Sequence, residues 1–204
     1  MKHRMRKLLV TAIIVLAGWS NDSAFAMQNN LTAVYSDSGR ILDYVQRPDT
    51  GQKLVVNSPL WLVAIEDDSM ISSVDFVRAG GSKNKPVFKH KESGLTCSVK
   101  TKADRNFIRH FYTLKTSKPV VIKQFVAIAL PPQFSAGGSV PGSPLVNDDW
   151  FAGMEYPTAR TIERLGSKVE LLMQFVECNR KLEVGDSLQY SSVIGHAVSG
   201  SLRR

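Results

Sequence analysis

The feature that most constrains this chain is its period-2 alternation. In Leu95-Thr96-Cys97-Ser98-Val99-Lys100, the residues Leu95, Cys97 and Val99 share one face of an extended strand, and Thr96, Ser98 and Lys100 share the other. The same rhythm returns through most of the sequence after residue 40. Leu54-Val55-Val56 stops at Asn57-Ser58-Pro59, Ser73 to Val77 ends at Gly80-Gly81, and Val87 to Lys91 turns at Ser93-Gly94. Leu60 to Ile65 reads as a continuously buried run. Longer strands are expected over Asn106 to Leu114 and Pro119 to Leu130. After a loop rich in Pro and Gly (131–144), strands resume over Arg160–Leu165, Lys168–Glu177 and Leu188–Ile194, with a turn at Gly166-Ser167. No stretch beyond residue 26 carries three turns of helical periodicity. Some dozen short strands with turns at this spacing predict an all-β protein, an antiparallel β-sandwich.

The first 26 residues follow a different rule. Lys2, Arg4, Arg6 and Lys7 precede an apolar run from Leu8 to Gly18, and Ala24-Phe25-Ala26 supplies the small-x-small pattern of a cleavage site. This is the layout of a secretory signal peptide, and the run is short for a membrane span of about 20 residues. The expected organisation is a signal peptide over 1–26 and one sandwich domain over 27–204. The protein is expected to be secreted or periplasmic, with no membrane association after cleavage.

Export changes the charge argument. The whole chain has 26 Lys+Arg against 18 Asp+Glu, a net +8, but the segment 1–26 takes four of the cations and Asp22 with it, leaving +5. No run or helical stripe of Lys and Arg appears, so nucleic acid is not an expected partner. Two cysteines remain, Cys97 and Cys178. An oxidising compartment permits a disulfide between them; two buried free thiols are the alternative.

Chemistry-bearing motifs are sparse. His90, His110 and His196 stand far apart, with no metal-ligand spacing, so no metal and no cofactor is expected. There is no Gly-x-Ser-x-Gly elbow, and Gly80-Gly81 and Gly137-Gly138 match no phosphate cradle. The densest cluster is Asp148-Asp149-Trp150-Phe151-Ala152-Gly153-Met154-Glu155-Tyr156-Pro157, with three acids and three aromatics in ten residues. Carboxylates beside an aromatic platform suit a pyranose, whose hydroxyls bond the acid and whose face stacks on the ring. Asp149, Trp150, Glu155 and Tyr156 are therefore the candidate carbohydrate-binding residues. The alternative is a turn at Asp148-Asp149 leading into a core strand, with Glu155 as a polar residue satisfied by a backbone partner.

The stretch Gly138-Ser139-Val140-Pro141-Gly142-Ser143-Pro144-Leu145-Val146, followed by Trp150-Phe151-Ala152-Gly153-Met154-Glu155-Tyr156-Pro157, resembles a signature of large secreted bacterial proteins. These are labelled enterotoxins and are related to α-galactosidase-type glycoside hydrolases. Tyr190-Ser191-Ser192-Val193-Ile194-Gly195 and Leu202-Arg203-Arg204 are similar to the same family's ending. The resemblance covers 138–204 closely and 31–137 only in strand pattern. It implies a supersandwich, galactose-mutarotase-like domain that precedes a catalytic (β/α)₈ barrel carrying the family's catalytic acids. No catalytic residue can then be assigned in this chain, which is expected to be truncated before the barrel. Tyr156 stands where the family often has a histidine.

Three readings follow. The chain is a non-catalytic sandwich domain whose partner is a separate catalytic barrel, or an independent carbohydrate-binding module whose partner is a glycan. The third is a small polysaccharide-acting enzyme using Glu155 with a base such as His110.

Overall fold

The computed structural model describes residues 30–67, 69–165 and 170–197. The expected signal peptide, the Gly166-Ser167 turn and the Leu202-Arg203-Arg204 ending lie outside these residues.

The described chain is almost entirely antiparallel sheet, as the alternation predicts. The larger sheet has eight strands in the order β11 (Ser135–Ala136), β12 (Leu145–Asn147), β13 (Trp150–Met154), β16 (Ser187–His196), β9 (Phe107–Thr116), β8 (Leu95–Ala103), β7 (Lys85–Lys89) and β6 (Val77–Ser82). A five-stranded sheet runs β14 (Arg160–Leu165), β15 (Glu170–Leu182), β10 (Val120–Leu130), β4 (Leu62–Ile65) and β5 (Met70–Ser72). A third sheet contains β1 (Thr32–Ser36), β2 (Ile41–Gln46) and β3 (Lys53–Pro59).

Side-chain alternation decides which face of each strand meets the core. On β9, Ile108, His110, Tyr112 and Leu114 point inward; on β8, Leu95, Cys97 and Val99 do so; on β16, Leu188, Tyr190, Ser192 and Ile194 do so. The two main sheets are joined by an aromatic column. Trp61, just before β4, packs its ring 5.4 Å from Phe76, 5.3 Å from Phe88 and 6.4 Å from Tyr112. Tyr112 meets Phe125 of β10 edge-on at 5.3 Å, and Phe125 stacks on Tyr190 at 4.7 Å. Edge and offset contacts of this kind add about 0.5–1.5 kcal/mol each beyond area burial.

The five-stranded sheet departs from simple alternation. β10 is buried at every position from Phe125 to Leu130, because it lies in the middle of its sheet and has apolar neighbours on both faces. Phe125 and Leu130 belong to the main core, whereas Val126 and Ala129 join Met173 and Phe175 in a separate cluster. Both ladders of β10 slip between Ile122 and Gln124, and Asn179, across the slip on β15, has a φ of 42°.

The two cysteines do not form the disulfide that an oxidising compartment would permit; both are free. Cys97 is enclosed in the core beside Phe88 and Leu114, its cross-strand neighbours, and burial pushes its thiol well above the ordinary range. Cys178 sits on the other sheet, with its Sγ 3.0 Å from the Tyr190 hydroxyl. The two thiols thus belong to strands of different sheets, Cys97 to β8 and Cys178 to β15.

Candidate functional site

The residues that carry the family resemblance are mostly structural. Gly142 has a φ of 79°, and a Cβ there would lie 2.3 Å from the carbonyl oxygen of Ala159, so only glycine fits. Gln174, fully buried on β15, ties the motif together. Its Oε1 accepts from the Met154 backbone N–H at 2.8 Å, and its Nε2 donates to the Ser143 carbonyl at 2.6 Å and the Thr161 hydroxyl at 3.2 Å. A buried amide satisfied on both ends holds the 131–144 loop against β13 and β15.

The structure does not gather the four predicted carbohydrate-binding residues. Trp150 is 3% exposed and packs edge-on against His196 at 5.0 Å, so its ring offers no platform to a sugar. Asp149 lies at the start of β13, where its carbonyl accepts from Ala197 N–H at 2.7 Å. Beside it, Arg47 pairs with Asp49 at 2.7 Å and comes within 3.3 Å of His196 Nε2. Burial, with the Arg47 charge second, lowers the His196 pKa. Glu155 follows the opposite end of the strand, six residues or roughly 20 Å along an extended chain. Tyr156 stays 42% exposed and meets Tyr190 edge-on at 5.5 Å.

What the structure brings together is a different set, centred on Glu155. On the outer face of the eight-stranded sheet, the register aligns Phe151, Gly195 and Phe107 in one row. Gly153, Val193 and Arg109 form the next, and Glu155, Ser191 and Phe111 the third, with Glu155 N–H donating to the Ser191 carbonyl at 2.9 Å. Arg109 Nη2 forms a 2.6 Å ion pair with Glu155 Oε1, and the two side chains are 32% and 31% exposed. The guanidinium carbon lies 5.1 Å from the Phe107 ring centre and 6.0 Å from that of Phe111, within cation–π range. Phe111 is 37% exposed. Arg109 Nε is buried and finds no acceptor among the described residues, so the fork is only partly satisfied.

Glycine keeps this face shallow. A Cβ on Gly195 would lie 2.3 Å from Phe151 Cζ, so the Phe151 ring lies across the strand where a side chain would otherwise stand. The pattern Phe107-x-Arg109-x-Phe111 is a period-2 signal of this face in the sequence. It marks aromatics and a cation on one side of a strand, but alternation alone does not say which side faces water.

Glu155 has no catalytic partner in His110. The two belong to opposite faces of the sheet, and His110 is enclosed, with a 2.7 Å hydrogen bond between its Nε2 and the Tyr35 hydroxyl. Burial pushes His110 down to about 4 and Tyr35 up to about 12. Among the described residues, no three His, Cys, Asp or Glu side chains are placed to hold a metal ion.

No family model matches the sequence, and no curated protein matches it. Among solved structures, the chain is similar to a protein described as a kojibiose phosphorylase from the human microbiome. The TM-score is 0.35 and the identity 11%, over 81% of this chain and 25% of that one. The chain therefore spans about a quarter of the length of that neighbour.

Proposed function

We propose that this chain is a non-catalytic β-sandwich domain of a secreted carbohydrate-active protein, and that it docks a catalytic barrel domain through the outer face of its eight-stranded sheet. The observation that carries the reading is the Arg109–Glu155 pair set among Phe107, Phe111 and Phe151. Arginine and aromatic residues are enriched where protein surfaces meet. The motif of residues 138–157, which resembles that of glycoside hydrolase-like proteins, supplies the chemistry of the partner. The signal-like segment 1–26 supports export to the periplasm or beyond.

The test is association. An α-galactosidase-type barrel domain, supplied as a separate polypeptide, is expected to co-purify with this chain. Arg109→Ala and Phe111→Asp should each abolish the complex while leaving the melting profile in place. The chain alone should turn over no member of a glycoside panel. No complex with such a barrel, a complex indifferent to both substitutions, or turnover by the isolated chain refutes the reading.

A further inference from the structure

The other main sheet carries a feature that barrel docking does not use. On the outer face of the five-stranded sheet lies a groove of about 400 Å³, within the roughly 300–1,000 Å³ typical of small-ligand sites. Its shape follows from register. Met70, Ala64, Gln124 and Glu177 form one cross-strand row, and Leu62, Val126, Phe175 and Arg160 form the next. Ala64, in the middle of the first row, contributes only a methyl group, which leaves a hollow between longer neighbours.

The groove has two unlike banks. Val126, Met173 and Phe175 make an apolar floor, continued by Ile162, which is 48% exposed. Gln124, Glu177 and Asn179 make a polar bank at the slipped register of β10 and β15. Bulges of this kind re-aim side chains and recur beside binding sites, and the positive φ of Asn179 marks the same spot.

The lining selects its occupant. Two amides and a carboxylate offer both donors and acceptors, the requirement for binding hydroxyl groups, which donate and accept at once. The apolar floor suits the C–H face of a pyranose. Glu177 disfavours an anion, and Lys123 together with Arg160, which pairs with Glu177 at 3.1 Å, disfavours a cation. A purely apolar chain would leave the polar bank without water or partners.

We infer that this groove binds a neutral oligosaccharide segment. The inference rests on reading the chain as carbohydrate-related, but it concerns a face remote from Arg109 and Glu155, so either can fail alone. The experiment is titration calorimetry of the purified chain with neutral glucose- and galactose-type oligosaccharides at millimolar concentration. Saturable binding of at least one is expected. Gln124→Ala and Glu177→Ala should each weaken it roughly tenfold, the loss of one hydrogen bond to a charged or buried polar group. Phe111→Ala, on the opposite sheet, should leave it unchanged, and thermal melts should show every variant folded. No binding by the folded chain across the panel overturns the groove and leaves barrel docking standing. Binding lost in Phe111→Ala but kept in the groove variants also overturns it.

Discussion

His110 should impose a steep acid dependence on stability, and its size follows from its surroundings. The imidazole is enclosed by the core and hydrogen-bonded to Tyr35, and its pKa falls from 6.5 to about 4. Because the folded-state value is the lower one, the unfolded chain takes up the proton first as the pH falls. The stability held by neutral His110 is therefore complete above about pH 6.5 and is lost progressively between there and about pH 4. At about 1.36 kcal/mol per pH unit, the full loss is about 3 kcal/mol, and about 2 kcal/mol of it has gone by about pH 5. The comparison variant is His110→Gln, which keeps an acceptor for the Tyr35 hydroxyl but does not titrate. Urea unfolding followed by tryptophan fluorescence, from about pH 7.5 to about pH 5, gives both stabilities. Surface carboxylates and His196 are common to the two proteins and cancel in the difference. Wild type should lose about 2 kcal/mol more than the variant over this interval. Two profiles parallel to within about 0.5 kcal/mol would refute the argument from burial.

Two further outcomes follow from geometry. In the folded protein a thiol reagent should label Cys178 slowly and Cys97 not at all, and in denaturant it should label both; a bridged product recovered from an oxidising compartment would contradict the free thiols. Gly195→Ala should destabilise by about 1–3 kcal/mol, because the new Cβ collides with the Phe151 ring and with the Asn106 carbonyl, and unchanged urea midpoints would count against that packing.

The sandwich was legible in the sequence because alternation is local. Leu95, Cys97 and Val99 point inward as their spacing predicts, and the strand expected from Arg160 ends at Leu165. The strands before residue 46 are not legible in the sequence, since Tyr35 and Asp43 interrupt any simple apolar rhythm there. β3 runs on past its expected stop, because Asn57 takes a φ of 46° and lets the strand continue to Pro59. The site was less legible for a physical reason. Which face of β13 meets the core depends on pairing with β16 across the sheet, and that pairing buries Trp150 while leaving Glu155 outside. Composition put Asp149 and Glu155 in one cluster; an extended strand separates them by its own length. Arg109 became visible only when register set it beside Glu155.

The margins of the two large sheets bear on how the protein behaves when concentrated. One margin of the eight-stranded sheet, β11, is two residues long, and the other, β6, is interrupted where Arg78 and Gly80 slip against β7. In the five-stranded sheet β5 has three residues. Short or kinked borders give a second molecule few consecutive amide and carbonyl groups to zip onto. β14, six residues paired in unbroken register with β15, is the exception. Intermolecular strand addition in a concentrated solution or a refolding mixture would begin there, and a proline in β14 would close that route.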